Sequence, residues 1–213
     1  MFRWGVLGTG RIAHKFIGAV QGGATEIVAI ASRDRARAAE LAQAAGVPRA
    51  YGSYEELLAD PEVQGVYVAL PNHLHAPWSI AAARAGKHVL CEKPLSLTRA
   101  EAEEMFGAAR ENGVWLMEAF MHRFHPQTLR VQQLLAEGAI GRPRQVQISF
   151  GFTLDRPGDT RWHPEMGGGA LLDVGCYCVN FARMVAGEAP ARVTATAQWS
   201  ASGIDLLLAK LTQ

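Results

Sequence analysis

Cysteines and net charge are both scarce in this sequence, and each scarcity excludes a class of protein. Its 213 residues include 3 cysteines, Cys91, Cys176 and Cys178, which form no Cys-x-x-Cys pair. We therefore expect buried thiols rather than a disulfide framework. The histidines lack the spacing of metal ligands, so we predict no metal site. A formal net charge of +1 argues against a nucleic-acid partner.

Long apolar runs are also missing. No segment approaches the roughly 18 uninterrupted apolar residues of a membrane span, and the amino terminus has no long apolar signal region. We therefore predict a cytoplasmic protein with no membrane partner. Apolar residues make up 49% of the chain and charged residues 19%, which indicates one large or two small folded domains. Neither an internal repeat nor a low-complexity segment interrupts them.

A glycine-rich turn follows the first apolar segment. Trp4–Leu7 is a predicted strand that leads into Gly8-x-Gly10-x-x-Ala13 and then a helical pattern ending near Val20. The glycines allow a tight turn and close approach to a pyrophosphate, which the amides at the helix start then hold. The alternative is a tight turn without a ligand. The predicted dinucleotide contacts here are Gly8, Thr9, Gly10, Arg11 and Ile12.

The second predicted strand, 26–31, ends in Ser32-Arg33-Asp34, where a dinucleotide fold recognises the adenosine ribose. Ser32 and Arg33 offer a hydroxyl and a guanidinium suited to a 2′-phosphate, which favours NADP over NAD. In the alternative, Arg33 is a solvated charge and Asp34 binds the ribose, although Asp34 is also a plausible helix start.

Strands and helices continue to alternate as far as residue 118, which predicts an α/β domain with a doubly wound parallel sheet of about six strands. We place this dinucleotide-binding Rossmann domain at residues 1–121. The loop that follows the predicted strand 66–70 is positioned to reach the cofactor. Its predicted contacts are Leu70, Pro71, Asn72 and His75. For His75 the alternative is an ordinary surface histidine.

The fifth predicted strand ends in Glu92-Lys93-Pro94, hereafter the EKP segment. Open α/β folds place their chemistry at the carboxyl ends of parallel strands, and Pro94 excludes Lys93 from the α region of backbone space. The alternative is an ordinary strand exit with solvated charges.

Residues 122–213 form a predicted second, α+β domain with a mainly antiparallel open sheet. Alternating patterns predict strands at 145–152, 192–199 and 204–211. Three strands are close to the minimum for an independent sheet, and the last stops at Gln213 without a turn. We therefore expect this substrate and oligomerisation domain to be truncated.

A glycine-entered helix is predicted from Gly167 to Val185. Asp173, Tyr177 and Asn180 are spaced to share one face of it. An unpaired carboxylate on an apolar helix is costly, so Asp173 should have a partner or face a polar cleft. Tyr177 is either a core aromatic or a catalytic base whose pKa is lowered by an ammonium, for which Lys93 is the candidate.

These motifs resemble the Gfo/Idh/MocA family of NAD(P)-dependent oxidoreductases. The resemblance rests on the glycine turn, the EKP segment and the run from Gly168-Gly169 through Asp173 to Tyr177. Many members carry histidine where this chain has Tyr177. That tyrosine and the segment 117–126 resemble the branch of NADP-dependent sugar and dihydrodiol dehydrogenases.

The resemblance implies that Lys93 and Tyr177 act at the hydride-transfer centre and that Asp173 binds substrate. It implies that Glu92 and the loop at Pro71-Asn72 border the nicotinamide, that Arg161 and Trp162 approach the cofactor, and that the Lys93–Pro94 bond is cis. The implied substrate is a small sugar such as D-xylose, oxidised at C1. Relatives commonly form dimers, so we expect a homodimer or higher oligomer if the second domain is complete.

Two further alternatives stay open from the sequence. The chain is either active on a trans-dihydrodiol or dicarbonyl compound instead of a sugar, or it is a catalytically impaired NADP-binding fragment or redox-sensing module.

Overall fold

The computed structural model describes residues 1–20 and 22–212, with the backbone alone for 207–212. Gln213, on which the expectation of a truncated domain depended, lies outside the described residues. The chain divides into two compact units, Met1–Ala119 and Phe120–Gln213.

The first unit contains a six-stranded parallel sheet with the strand order β3-β2-β1-β4-β5-β6, which confirms the predicted doubly wound α/β architecture. Its strands are β1 (Phe2–Leu7), β2 (Thr25–Ala31), β3 (Arg49–Tyr51), β4 (Gly65–Val68), β5 (His88–Cys91) and β6 (Leu116–Glu118). Its helices are α1 (Arg11–Val20), α2 (Arg35–Ala45), α3 (Tyr54–Leu58), α4 (His75–Arg84) and α5 (Arg99–Glu111).

Both faces of this sheet are buried, because neighbouring residues of one strand enter different core clusters. Val6 and Tyr67 belong to one cluster, whereas Leu7 and Val66 belong to the other. Successive strand side chains point to opposite faces, so the two clusters cover the two sides of the sheet. This explains why the central strand segments, such as 27–31 and 66–68, are continuously apolar rather than alternating.

Buried polar contacts connect the segments that precede β4 and β5. The Lys87 ammonium is buried and donates to the carbonyls of Asp60 and Val63, each at 2.8 Å. Burial lowers the pKa of Lys87, and the nearby Asp60 carboxylate partly offsets that effect. Tyr51 donates to the same carboxylate at 3.0 Å. Lys87 therefore gives a donor to both carbonyls, of which the Asp60 carbonyl also accepts from the Val63 amide at 3.2 Å.

Among the side chains that the structure describes, fewer are buried in the second unit than in the first, and its sheet is smaller. Its elements are α6 (Pro126–Ala136), α7 (Cys176–Ala186), β7 (Val193–Trp199) and β8 (Asp205–Thr212). The strands β7 and β8 pair antiparallel, as the sequence predicted for this part of the chain.

The predicted strand at 145–152 is wrong, because these residues adopt no regular secondary structure. An alternating sequence becomes a strand only where another strand takes up its backbone hydrogen bonds. Among the described residues of this unit, β7 and β8 pair with each other and with no third strand.

The predicted helix at 167–185 begins later than expected and starts with a π-helical turn, Leu171–Gly175, that continues into α7. By length and composition, one segment of the described chain, Pro164–Ala186, would suffice to cross a membrane. A single such segment is weak support for a span, since core helices of soluble proteins pass the same test. Gly167 and Gly169 have φ angles of 75° and 107°, so the segment is not one continuous helix.

Substituting Lys87 tests the buried polar contacts. Lys87→Met keeps most of the side-chain volume but removes the ammonium donor from both carbonyls and leaves the Asp60 carbonyl with the Val63 amide alone. We expect the free energy of unfolding to fall by about 3 kcal/mol. Urea denaturation followed by circular dichroism measures this. Lys15→Met, at an exposed position of α1, is the matched control and should change stability by less than about 0.5 kcal/mol. Equal effects of the two variants would contradict the assignment.

Candidate cofactor and active site

The glycine turn has the backbone geometry that close approach to a ligand requires. Gly8 has a φ angle of 103°, and its amide donates to the Ala31 carbonyl at 2.9 Å. A Cβ at Gly8 would lie 2.5 Å from the Ala69 carbonyl oxygen, so only glycine fits. Ala13 is fully buried, which lets α1 pack closely on the sheet. Of the other predicted contacts, Gly10 and Arg11 are exposed, and Thr9 and Ile12 are half-buried.

The structure assigns different tasks to the residues at the end of β2. The Asp34 carboxylate caps α2, since its Oδ1 accepts from the amides of Ala36 at 2.9 Å and Arg37 at 3.3 Å. Ser32 is buried and its hydroxyl accepts from the Asp34 amide at 3.3 Å. The Arg33 side chain is exposed at the same edge. Asp34 therefore caps the helix, whereas Arg33 forms a side-chain hydrogen bond with Tyr54 of α3 and remains exposed at this edge.

The loop after β4 is fixed by a histidine that the sequence did not mark as buried. His75 is 0% exposed, and its Nδ1 and Nε2 lie 2.6 Å from the Pro94 carbonyl and 2.8 Å from the Leu70 carbonyl. The surface-histidine alternative is therefore wrong. The predicted contact of His75 with the cofactor is also not what this geometry offers, because the ring is enclosed and joins two loops instead. Pro71 and Asn72 are half-buried beside it.

Burial lowers the pKa of His75, and the two carbonyl contacts only partly offset the effect. A neutral imidazole carries one N–H, so it donates to one of these carbonyls at a time. From the first residue of α4 the ring reaches the carbonyls of Leu70 and Pro94, which sequence spacing alone does not reveal.

Side chains of β4 and β6 and a hydrogen bond within the segment hold the EKP segment and the residue that follows it. Tyr67, in β4, donates its hydroxyl to Glu92 Oε1, and the Lys93 amide donates to Oε2 at 3.2 Å. Beyond the segment, the Leu95 amide donates to Glu118 of β6 at 2.8 Å. The Lys93–Pro94 bond is cis, as the resemblance implied. Lys93 itself is half-buried.

Burial raises the pKa of Glu92, while the Tyr67 hydroxyl and the Lys93 amide and ammonium partly offset the effect. Glu92 is thus not a solvated charge at an ordinary strand exit. Sequence analysis missed Tyr67 and Glu118. The one available signal was a tyrosine in the middle of a buried strand, since a buried phenol hydroxyl usually has a partner.

In the second unit, Asp173 has the partner that its burial requires. Arg161 Nε donates to Asp173 Oδ2 at 2.6 Å, and Arg161 Nη1 donates to Asp159 Oδ1 at 2.9 Å. The pKa of Asp159 lies below its ordinary value: although partial burial raises it, the Arg161 amide and guanidinium lower it more. The predicted site residues Arg161 and Asp173 are therefore brought together. Trp162 follows them, and its Nε1 is buried with no hydrogen-bond partner among the described residues.

Tyr177 lies in an aromatic cluster within the second unit. Its ring centroid is 5.3 Å from both Phe120 and His122 and 5.6 Å from Phe150. Its hydroxyl donates to the Met121 sulfur at 3.5 Å. Burial lowers the pKa of His122, and a side-chain interaction with Asn180 partly offsets the effect. The packing fixes the ring of Tyr177 through neighbours that the sequence did not assign to it.

The entry to the helix that carries Asp173 depends on two glycines. A Cβ at Gly168 would lie 2.4 Å from the Arg161 carbonyl oxygen, and one at Gly169 would lie 2.1 Å from Asp205 Oδ1. The other oxygen of Asp205 accepts from the Leu171 amide at 2.6 Å. The glycine pair therefore anchors this helix to the loop of Arg161 and to β8.

A cleft of about 790 Å³ opens within the second unit beside Asp173. Its lining includes Phe150, Phe152, Arg161, Trp162, Asp173 and Asp205. Among the described residues, no group of three or more histidine, cysteine, aspartate or glutamate side chains is arranged to hold a metal ion.

Comparison with protein families accounts for both units. Residues 2–120 match the oxidoreductase family with an NAD-binding Rossmann fold, and residues 128–206 match the GFO/IDH/MocA C-terminal domain. The first match alone covers more than half of the 213 residues. The chain belongs to the Gfo/Idh/MocA family. The resemblance found in the motifs is thereby confirmed.

Two curated relatives show how similar this chain is to named dehydrogenases. D-xylose 1-dehydrogenase (NADP(+)) 2 of Haloferax volcanii is 50% identical over 195 residues, covering 91% of this chain and 59% of the relative. The trans-1,2-dihydrobenzene-1,2-diol dehydrogenase of Mus musculus is 40% identical over 216 residues, which cover 99% of this chain and 64% of the relative. The chain thus spans 59% to 64% of the length of these two relatives.

Solved structures of oxidoreductases share the fold of this chain. A 3-ketoreductase from Actinomadura kijaniata in complex with NADP and TDP-benzene is 38% identical with a TM-score of 0.89, covering 99% of this chain and 69% of that one. An aldose-aldose oxidoreductase from Caulobacter crescentus is 31% identical with a TM-score of 0.92, and the match covers 99% of this chain and 67% of that one.

Two alanine substitutions in the glycine turn separate fold from ligand binding. Gly8→Ala should lower the free energy of unfolding by about 2 kcal/mol, because of the positive φ angle and the contact with Ala69. At Gly10 a Cβ would meet no described atom within 4 Å. Gly10→Ala should therefore keep full stability but weaken dinucleotide binding by about tenfold or more, because the methyl group would stand where a pyrophosphate approaches.

Urea denaturation and calorimetric titration with NADP and NAD provide the two measurements. A Gly10→Ala protein with unchanged affinity for both dinucleotides would contradict a pyrophosphate site at this turn.

Proposed function

We propose that this chain belongs to an NADP-dependent dehydrogenase that transfers hydride between C1 of an aldose, such as D-xylose, and nicotinamide. The observation that carries the proposal is the 50% identity to D-xylose 1-dehydrogenase (NADP(+)) 2 across 91% of the chain. It is supported by a fold whose glycine turn, EKP segment and Tyr177 are all present with ordered surroundings.

The residues at the carboxyl ends of β1, β2, β4 and β5 fit a dinucleotide. Gly8 permits close approach to the turn, the amides at the start of α1 suit a pyrophosphate, and exposed Arg33 suits a 2′-phosphate. When bound, the nicotinamide accepts hydride from the substrate carbon. Glu92 and the Pro71-Asn72 loop would line the nicotinamide end of the cofactor.

The alcohol must lose its hydroxyl proton as hydride leaves the carbon, so a base is required. We assign this role to Tyr177: the phenolate is the base, and a neighbouring ammonium stabilises it and makes it available near neutral pH. Lys93 supplies that ammonium in the proposal. Asp173, held by Arg161 beside the cleft, accepts hydrogen bonds from the substrate hydroxyls and orients the sugar.

A trans-dihydrodiol is the second candidate substrate. Its support is the 40% identity to the trans-1,2-dihydrobenzene-1,2-diol dehydrogenase of Mus musculus over 99% of this chain. The same base would remove the hydroxyl proton of a diol, so the two candidates differ in the fit of the substrate rather than in mechanism.

Arg33→Gln tests the choice of cofactor. Removal of the guanidinium should reduce the ratio of NADP to NAD affinity by about tenfold or more, because a charge-assisted contact with the 2′-phosphate is lost. Calorimetric titration with each dinucleotide measures the ratio. Arg110→Gln, at an exposed position of α5, is the control and should leave it unchanged. An unchanged ratio in Arg33→Gln would point away from Arg33 as the phosphate ligand.

Tyr177→Phe tests the base. The phenylalanine ring keeps the contacts with Phe120, His122 and Phe150, so NADP affinity should persist while kcat for D-xylose falls by about 10²- to 10⁴-fold. Nicotinamide absorbance followed over a panel of pentoses, hexoses and dihydrodiols provides the measurement. Tyr51→Phe removes a hydroxyl bound to Asp60 and is the control that should keep full kcat.

The panel also separates the remaining alternatives. Turnover of diols without turnover of sugars would select the dihydrodiol interpretation. NADP binding without turnover of any member would favour a catalytically impaired binding module, and full activity of Tyr177→Phe would remove Tyr177 from the mechanism.

A further inference from the structure

A buried tyrosine–carboxylate contact lies directly next to Lys93, within the first unit. Tyr67 is 2% exposed and Glu92 is 6% exposed, so both side chains are removed from solvent. The proposed function uses Glu92 as a boundary of the nicotinamide and assigns nothing to Tyr67.

The Tyr67 ring has little freedom to move. Phe16, on α1, stacks on it with ring centroids 3.9 Å apart and an angle of 21° between the planes. Because β4 fixes the backbone and Phe16 fixes the ring plane, the hydroxyl points at Glu92 in a single direction.

The hydrogen bonds around Glu92 suit a carboxylate. The Tyr67 hydroxyl donates to Oε1 and the Lys93 amide donates to Oε2, so each oxygen accepts from a different donor. An ionised carboxylate is an acceptor at both oxygens, whereas a protonated one must direct its own O–H at a neighbour. The Lys93 amide cannot accept such a hydrogen bond, so a protonated Glu92 would have to donate to the Tyr67 hydroxyl and reverse that contact.

We propose that Tyr67 is a positioning residue for Lys93: its hydroxyl keeps the buried Glu92 in the carboxylate form, and that carboxylate fixes the Lys93 backbone and attracts its ammonium. This role deepens the proposed function, on which its catalytic consequence rests. The contact between Tyr67 and Glu92 belongs to the protein alone and is testable without turnover.

The other titratable groups around Glu92 come from several elements. Cys91 of β5 is neutral because burial raises its pKa to about 12, and burial lowers the pKa of His75 of α4. Glu118 of β6 binds the Leu95 amide. Lys93 is the neighbouring cation, and its charge lowers the pKa of Glu92.

These contacts determine in which direction the pKa of Glu92 changes when the Tyr67 hydroxyl is removed. Burial raises the pKa of Glu92 above its ordinary value, and the Tyr67 hydrogen bond lowers it again in part. Loss of the Tyr67 hydroxyl removes a hydrogen bond that lowers the pKa of Glu92. In Tyr67→Phe, Glu92 must therefore take up its proton at a higher pH than in the parent protein.

Carbon-13 NMR of the glutamate side-chain carboxyls, recorded against pH in the ligand-free full chain, tests the contact itself. Glu92→Gln identifies the Glu92 signal by its disappearance. We expect the Glu92 midpoint to move to higher pH in Tyr67→Phe and to stay in place in Tyr51→Phe, which loses a hydrogen bond of the same kind to Asp60. An unchanged midpoint in Tyr67→Phe would overturn the proposal.

The pH profile of kcat for the best substrate tests the consequence. Tyr67→Phe should move the acid limb of this profile to higher pH while KM changes by less than about twofold, and Glu92→Gln should abolish that limb. A uniform loss of activity with an unshifted limb would show a merely structural role and contradict the proposal. If the parent chain turns over no substrate, the proposed function fails, and the carboxyl titration decides the role of Tyr67 independently.

Discussion

The Glu92 carboxylate is withdrawn from water at the end of β5, and a buried carboxylate is costly unless hydrogen bonds replace those it made with solvent. The protein supplies them from Tyr67 in β4 and from the Lys93 amide. His75 in α4 and Glu118 in β6 hold the residues that follow. The conformation of the EKP segment thus depends on β4, β5 and β6 lying side by side, because no single element provides all of these contacts.

A related constraint organises the second unit, although fewer of its side chains are buried. Arg161 neutralises both Asp159 and Asp173, and Asp205 binds the amide at the entry of the helix that carries Asp173. Glycines at 168 and 169 are required because any side chain would collide with the backbone of Arg161 or the carboxylate of Asp205. The motif that marks the family in the sequence is therefore a packing requirement that positions Asp173, and the glycines themselves need not touch a ligand.

The sequence predicted the first unit well because its signals are local. Apolar strands, glycine turns and capping residues each depend on a few neighbours, and they specified the six parallel strands and their intervening helices. The strand at 145–152 failed because alternation reports which residues could share a face, not whether a partner strand is present. His75 and Tyr67 were missed or misjudged for a similar reason. The role of His75 comes from Pro94 and Leu70, which lie 19 and 5 residues away along the chain. The role of Tyr67 comes from Glu92, which lies 25 residues away and meets it only after folding.

The choice between NADP and NAD shows how a local structural need constrains function. An acidic residue at the end of β2 is what an NAD site uses for the ribose hydroxyls, and Asp34 stands one residue beyond Arg33. The carboxylate of Asp34, however, accepts the amides at the start of α2, which lack partners within the helix. If Asp34 turned toward a ribose, those amides would lose their acceptor, at a cost of about 1 kcal/mol for the cap. Arg33 has no such role in capping α2: its side chain forms a hydrogen bond with Tyr54 and is exposed at this edge of the sheet, so the positive side chain and not the acidic one is accessible here.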